Sequence, residues 1–282
     1  MKILMIGAHQ DDNEFRCGGT AYKLTQTGHT VKFLSLTNGC GGHHLLTAEE
    51  TVAVRAKESA EVAKLLGIEY EIWSDQDDCA LVADLPTRRR LIRCIRSFAP
   101  DVIITHRTND YHPDHRACAL LVQDASYMLI VPHECPEAAA LRVMPVIMYY
   151  EDSFTEPEFK LEFIVGIDEV IDIKLQIARL NASQVYEWLP YTNGETVPTD
   201  EKARFEWLKG MNTDSTHTDQ EIMSLPRGYA VRFAKPAAKF RDKLIEKYGK
   251  EKGARIRYAE AFGLCPYGGA LNEEVKGLFD KL

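Results

Sequence analysis

The chain has 282 residues, 45% hydrophobic and 27% charged, with a formal net charge of −8. That length suits an α/β domain with an extension and a sizeable core, and the acidic balance gives no general attraction to nucleic acid or anionic membrane. Seven cysteines without a C-x-x-C pair argue against a disulfide framework and a thiolate zinc module, and for free thiols in a reducing cytosol.

The N-terminal apolar stretch is too short for a signal peptide, and no run approaches the roughly eighteen apolar residues that span a bilayer, so a cytoplasmic protein without a membrane span is expected. Apolar runs then alternate with helix-period segments. The pattern predicts a strand over 2–7, a helix near 18–27 closed by Gly28, a strand over 31–36, a helix over 48–66 closed by Gly67, and a strand over 69–73. Thr47 and Glu50 stand at capping-box spacing, and Gly67 supplies a left-handed stop. A helix near 86–98 stopped by Pro100, a strand over 102–105 and a helix from Pro113 to residue 130 or so complete the series. Arg88, Arg89, Arg90, Arg93 and Arg96 interleave with Leu91, Ile92 and Ile95, and read as a solvated helix face rather than a phosphate patch. Strands at 145–150 and 163–167 and an amphipathic helix over 173–188 follow, then two or three helices among loops punctuated by Pro190, Pro198, Pro226 and Pro236. With no low-complexity linker or repeat, residues 1–282 are expected to form a single α/β domain. It would hold a Rossmann-like parallel sheet with helices on both faces over 1–170, and an extension, 171–282, packed on the same core.

Two strand ends carry the chemistry. The first strand empties into His9-Gln10-Asp11-Asp12, and the fourth is followed by His112-Pro113-Asp114-His115. A doubly wound sheet started from its middle has the order 3-2-1-4, which sets these strands side by side where a cleft opens. Imidazoles and a carboxylate at such a cleft are the material of a mononuclear zinc site that keeps one position for water, and point to a metal-dependent hydrolase. Iron and cobalt also suit two histidines and an aspartate. Pro113 fits a first helical position, with His112 near the cap and His115 on the first turn. His106, at the end of the fourth strand, is a candidate to orient a ligand. His43 and His44 read as exposed loop residues, with a loop over the site as the alternative.

Ala8-His9-Gln10-Asp11-Asp12, Gly18-Gly19, Thr37-Asn38-Gly39 and Asn109-Asp110-Tyr111-His112-Pro113-Asp114-His115 resemble, in order and spacing, the PIG-L (LmbE-like) family of zinc-dependent N-deacetylases. Tyr258-Ala259-Glu260-Ala261-Phe262 is also similar to a segment of bacterial members. The resemblance implies Zn²⁺ held by His9, Asp12 and His115, with Asp11 as general base. It further implies His112 as oxyanion stabiliser or acid, and Asp114 holding His112 in orientation. Arg55 matches an arginine that members use on the substrate; read as a helix residue alone, it would pair with Glu58 at the surface. Gln10 in place of the usual proline removes rigidity, and Glu14, displaced one position by Asn13, bears on the fine orientation of the site. The implied substrate is a small N-acetyl sugar or glycoconjugate of the N-acetylglucosamine type, and homo-oligomerisation is left open. A dinucleotide-binding oxidoreductase is disfavoured, because the first turn lacks G-x-G-x-x-G and its two acids would repel a pyrophosphate. A zinc- and sugar-binding protein without turnover is disfavoured by the retention of Asp11.

Overall fold

The computed structural model describes residues 1–210, 217–226 and 228–282. Among them, the strands β1 (Lys2–Gly7), β2 (Thr30–Ser35), β3 (Glu69–Ile72), β4 (Val102–Thr105), β5 (Val146–Tyr150), β6 (Phe163–Gly166) and β7 (Ala259–Leu264) form one sheet. Its order is β3-β2-β1-β4-β5-β7-β6. Strands β1 to β5 pair in parallel, and β1 to β4 take the expected order 3-2-1-4. The sheet is mostly rather than wholly parallel, because β7 runs antiparallel to both β5 and β6. β7 comes from the extension, so the extension contributes to the sheet itself and does not merely cover it.

Alternate residues of β1 face opposite layers, as the period of a strand requires. Ile3 and Met5 pack with Cys17, Ala21 and Leu24 of α1 (Asp12–Gln26) and Val62 and Leu66 of α2 (Ala48–Leu66). Leu4 and Ile6 pack with Leu91, Ile92 and Ile95 of α3 (Leu85–Phe98) and Cys118, Leu121 and Val122 of α4 (Pro113–Ser126). Thr47 caps α2 through the Glu50 N–H, and Gly67 closes it in the left-handed region.

Three departures from the predicted elements have physical causes. Helix α1 starts at Asp12, not near residue 18, because Asp12, Asn13 and Glu14 are buried by their neighbours and do not form a polar loop. The amphipathic segment after β6 divides into α5 (Ile171–Leu180), a π-helical turn over Ser183–Trp188 and the short α6 (Leu189–Asn193). The rest folds as α7 (Glu201–Gly210), α8 (Asp219–Ser224), α9 (Val231–Lys239), α10 (Arg241–Tyr248), α11 (Lys250–Arg255) and α12 (Glu273–Lys281), more helices than the two or three expected. Arg96 also leaves the solvated face assigned to it. It is buried and donates to carbonyls of Met128, Leu129, Val131, Cys135 and Ala138, tying α3 to the turns after α4. Among the described residues, no helix is long and apolar enough to cross a membrane.

Candidate metal centre

The turn that follows β1 is shaped by close packing. A Cβ on Gly7 would lie 2.8 Å from the Asp12 Cβ, so the chain can fold back on itself there only with glycine. Asp11 adopts φ 108°, a conformation that costs energy for a residue with a side chain. Asp12 Oδ2 accepts from the His9 N–H at 2.8 Å, and the Glu14 carboxylate accepts from the Asp11 N–H at 3.2 Å. The displaced glutamate thus secures the turn by its own route. Gln10, instead of loosening the turn, is buried and donates to the Asn38 carbonyl at 3.0 Å.

Strand β4 lies beside β1, and His112 caps α4 with Pro113 in the first turn. The consequence is convergence. His9 Nδ1 stands 3.2 Å from His115 Nε2, His115 Nε2 stands 3.2 Å from Asp12 Oδ1, and His9 Nδ1 stands 3.6 Å from Asp12 Oδ2. A tetrahedral ion bound at ~2.0–2.1 Å holds its ligands about 3.3 Å apart. The other nitrogen of each imidazole meets carboxylates: His9 Nε2 faces Asp78 at 2.9 Å and Asp114 at 3.3 Å, and His115 Nδ1 faces Asp110 at 2.9 Å. Carboxylates in that position fix the ring and raise its basicity toward a metal. His106 Nε2 lies 3.1 Å from Asp12 Oδ2 and its ring stacks on His115 at 4.2 Å, which leaves Asp12 Oδ1 on the side of the histidine pair. Ligand atoms of His9, His112 and His115, and of Asp12, His106 and His115, lie within 4.8 Å of one another, so this cluster of imidazoles and a carboxylate fits a cation.

Electrostatics agree with that fit. Burial opposes charge on His9 and His115, but their carboxylate partners outweigh it, holding His9 well above the ordinary imidazole range and His115 at about 9. Burial likewise opposes charge on Asp12, yet His115 and His106 keep its pKa well below the usual carboxylate range. The protons on the two imidazoles supply positive charge that a cation would bring, and binding one would release them. Burial pushes Asp11 up to about 6 against the pull of Arg55.

Two assigned roles change. The Asp114 carboxylate does not hold the His112 ring: it accepts from the N–H groups of Cys79 at 2.7 Å and Leu81 at 3.2 Å and faces His9. His112 Nδ1 instead accepts from the Asp114 backbone N–H at 3.2 Å, and its pKa is lowered by burial and then by His9 and His115, rather than raised. Arg55 is 3% exposed and makes no surface pair. It bonds the Gln10 and Gly39 carbonyls and lies 3.4 Å from Asp11 Oδ1, while Glu58 receives Ser183. His43 and His44 are not free loop residues either. His43 pairs with Glu187 at 2.7 Å and His44 stacks on Tyr191 at 4.0 Å, fastening the loop to the turns after α5. Asp78 and Asp110 were given no role from the sequence. The available signal was position, since both lie beyond carboxyl ends of sheet strands, where ligands gather.

The family description PIG-L: GlcNAc-PI de-N-acetylase matches residues 4–126, which hold His9, Asp11, Asp12, Asp78, Asp110, His112, Asp114 and His115. Residues 4–126 thus carry the match to the PIG-L family. The chain is 28% identical over 205 residues to the diacetylchitobiose deacetylase of Thermococcus kodakarensis, covering 67% of this chain and 74% of the relative. It is 26% identical over 220 residues to a probable N-acetyl-alpha-D-glucosaminyl L-malate deacetylase 2 of Bacillus cereus, covering 73% and 94%. Two solved structures share the fold. The N,N'-diacetylchitobiose deacetylase of Pyrococcus horikoshii superposes with a TM-score of 0.65 at 23% identity, over 94% of this chain and 84% of the other. GalB, the 4-carboxy-2-hydroxymuconate hydratase of Pseudomonas putida, superposes with a TM-score of 0.69 at 17% identity, over 96% and 98%.

Proposed function

We propose that this protein is a zinc-dependent N-deacetylase that releases acetate from an N-acetylated amino sugar of the N-acetylglucosamine type or its conjugate. The observation that carries the reading is the convergence of His9 Nδ1 and His115 Nε2 at 3.2 Å, with Asp12 Oδ1 3.2 Å from His115, Asp12 Oδ2 3.6 Å from His9, and a carboxylate behind each imidazole. The named deacetylase relatives support it. When bound, the ion would supply an acidified water and polarise the amide carbonyl. Asp11, held near 6, is ionised at neutral pH yet basic enough to take a proton from that water and return it to the departing amine. His112 is neutral there, and because its Nδ1 accepts an N–H, its proton sits on Nε2, free to donate to the oxygen on which negative charge develops. Arg55 does not need to touch substrate in this scheme; it positions Asp11. Cysteines that are all unpaired among the described residues suit a reducing compartment, so the reading includes a cytoplasmic location.

The test is acetate release across a panel of N-acetyl sugars, with the metal content measured in parallel. One zinc per chain is expected, and Asp11→Asn should cut turnover about 10²- to 10⁴-fold with the metal retained. His112→Ala should also lower turnover and keep the metal; loss of metal in that variant would make His112 a ligand. A wild-type, zinc-loaded protein that releases acetate from no member of the panel overturns the reading.

A further inference from the structure

Two side chains beside the metal cluster, Asp78 and Cys79, take no step in the chemistry above, and with His112 they make a second set of donors. Asp78 and Cys79 lie in the loop after β3 and His112 caps α4, yet one carboxylate oxygen, the thiol sulfur and one ring nitrogen lie within 4.8 Å of one another. Cys79 Sγ stands 3.5 Å from Asp78 Oδ1. Asp78 faces His9 Nε2 at 2.9 Å, whereas His9 Nδ1 is the nitrogen that faces His115 and Asp12. The second set therefore lies on the other side of the His9 ring from the first.

Access comes from the thiol side. The Asp78 side chain is 5% exposed and His112 is half-buried, but Cys79 is open to solvent. Gly41 keeps room beside the donors: a Cβ there would stand 3.3 Å from Asp78 Oδ2 and 3.6 Å from Cys79 Sγ, although Gly41 is not among the glycines with positive φ. The missing side chain thus leaves space rather than relaxing the backbone. Thiolate, imidazole and carboxylate together suit zinc and softer ions and disfavour magnesium and calcium. Around a tetrahedral ion at ~2.3 Å from sulfur and ~2.0–2.1 Å from nitrogen and oxygen, donors stand about 3.3–3.6 Å apart. Even the loosest pair here has to close by no more than about 1.5 Å, within reach of a rotation of the exposed thiol.

We propose that Asp78, Cys79 and His112 form a second, inhibitory site for a thiophilic divalent cation such as zinc or cadmium, filled once the first site is occupied. Binding makes a metal–sulfur bond and releases the thiol proton to solvent. To ligate, His112 must give up either the Asp114 N–H at Nδ1 or the proton on Nε2. Both changes take it out of the oxyanion role. The inhibition rests on the deacetylase reading, whereas the binding does not.

The experiment titrates the zinc-loaded protein with further zinc and follows acetate release. Activity should fall at least about tenfold as free zinc rises. Cys79→Ser and Cys79→Gly keep the backbone N–H that Asp114 accepts, so both should retain the uninhibited rate while the half-inhibiting zinc concentration rises about tenfold or more. Equilibrium dialysis against excess zinc should give two ions per chain in the wild type and one in these variants. With cadmium, the second ion should bring a sulfur-to-metal charge-transfer band that Cys79→Ser abolishes and Cys40→Ser leaves in place. Inhibition that is unchanged in both Cys79 variants, or a second ion bound without a Cys79-dependent band, would overturn the site while leaving the deacetylase standing. A Cys79-dependent second ion in a protein that releases acetate from no sugar would do the reverse.

Discussion

Arg55 shows how one residue couples a turn to a reaction. Its guanidinium is buried between the Gln10 and Gly39 carbonyls and faces Asp11, whose pKa burial raises and Arg55 lowers. Removing the cation takes away the strongest pull against burial and leaves His9 and His115 alone to oppose burial and Asp12. In Arg55→Met the base should stay protonated to higher pH, so the acid limb of the kcat/KM profile should move to higher pH by about one unit, a roughly tenfold loss on that limb, with zinc content unchanged. A profile that falls uniformly without moving would mean that Arg55 only braces the turn. At this scale the sequence reveals the groups whose position follows from strand ends, His9, Asp12 and His115. It does not reveal partners chosen by tertiary packing. Asp110 reaches His115 and Asp78 reaches His9 only once the loops are folded, and counting three residues along a helix from Arg55 leads to Glu58 although the side chain turns inward.

The elements are held to one another by a second buried device. Lys174 of α5 and Glu260 of β7 pair at 2.8 Å with side chains 0% and 1% exposed. Lys174 also donates to the Glu14 carbonyl at 2.6 Å and the Phe15 carbonyl at 3.1 Å, and Glu260 accepts from the Gly19 and Thr20 N–H groups at 3.0 and 2.7 Å. The pair thus joins α5, β7 and α1 just past the proposed metal ligands. Gly18 and Gly19 permit this close approach, because a Cβ would stand 3.0 Å from Ile177 Cδ1 at the first and 3.0 Å from Ile167 Cγ2 and 3.2 Å from Glu260 Oε1 at the second. Lys174→Met strands a buried carboxylate and should cost about 3–5 kcal/mol in urea unfolding, while Lys174→Met with Glu260→Leu should cost less than the two single changes summed. Additive losses would show that the two side chains do not act as a pair. The same device marks where pattern reading stops. The strands β1 to β4 and helix α2 are legible because their apolar periods and caps are local. β7 escapes, since Glu260, the second residue of Ala259–Leu264, breaks the apolar run and is met in its burial by a lysine from another element.

Across the whole molecule, the extension is fastened to the sheet edge partly through Lys247 of α10. Its Nζ donates to the Ile164 carbonyl of β6 at 2.8 Å and to the Phe279 carbonyl of α12 at 2.7 Å. Burial, reinforced by the like charges of Lys23 and Lys252 and only partly offset by Asp280, depresses its pKa to about 8. An unfolded lysine titrates near 10.4, so between those values the unfolded chain binds more protons than the native one. Native stability should therefore rise as pH climbs from about 8 to about 10.4, by at most ~1.4 kcal/mol per pH unit and by less where solvent screens the charge. Below that window both states are protonated and the slope from this group vanishes. Lys247→Met replaces the ammonium with an apolar chain of similar length. It gives up two hydrogen bonds to carbonyls, and it removes both the desolvated charge and its repulsion by Lys23 and Lys252. The comparison that matters is the slope rather than the absolute stability: urea midpoints at pH 7.5, 8.5 and 9.5 should climb in the wild type relative to Lys247→Met. Parallel curves for the two proteins would mean that Lys247 titrates in the native state as it does in the unfolded chain, and that burial under α12 does not govern its charge.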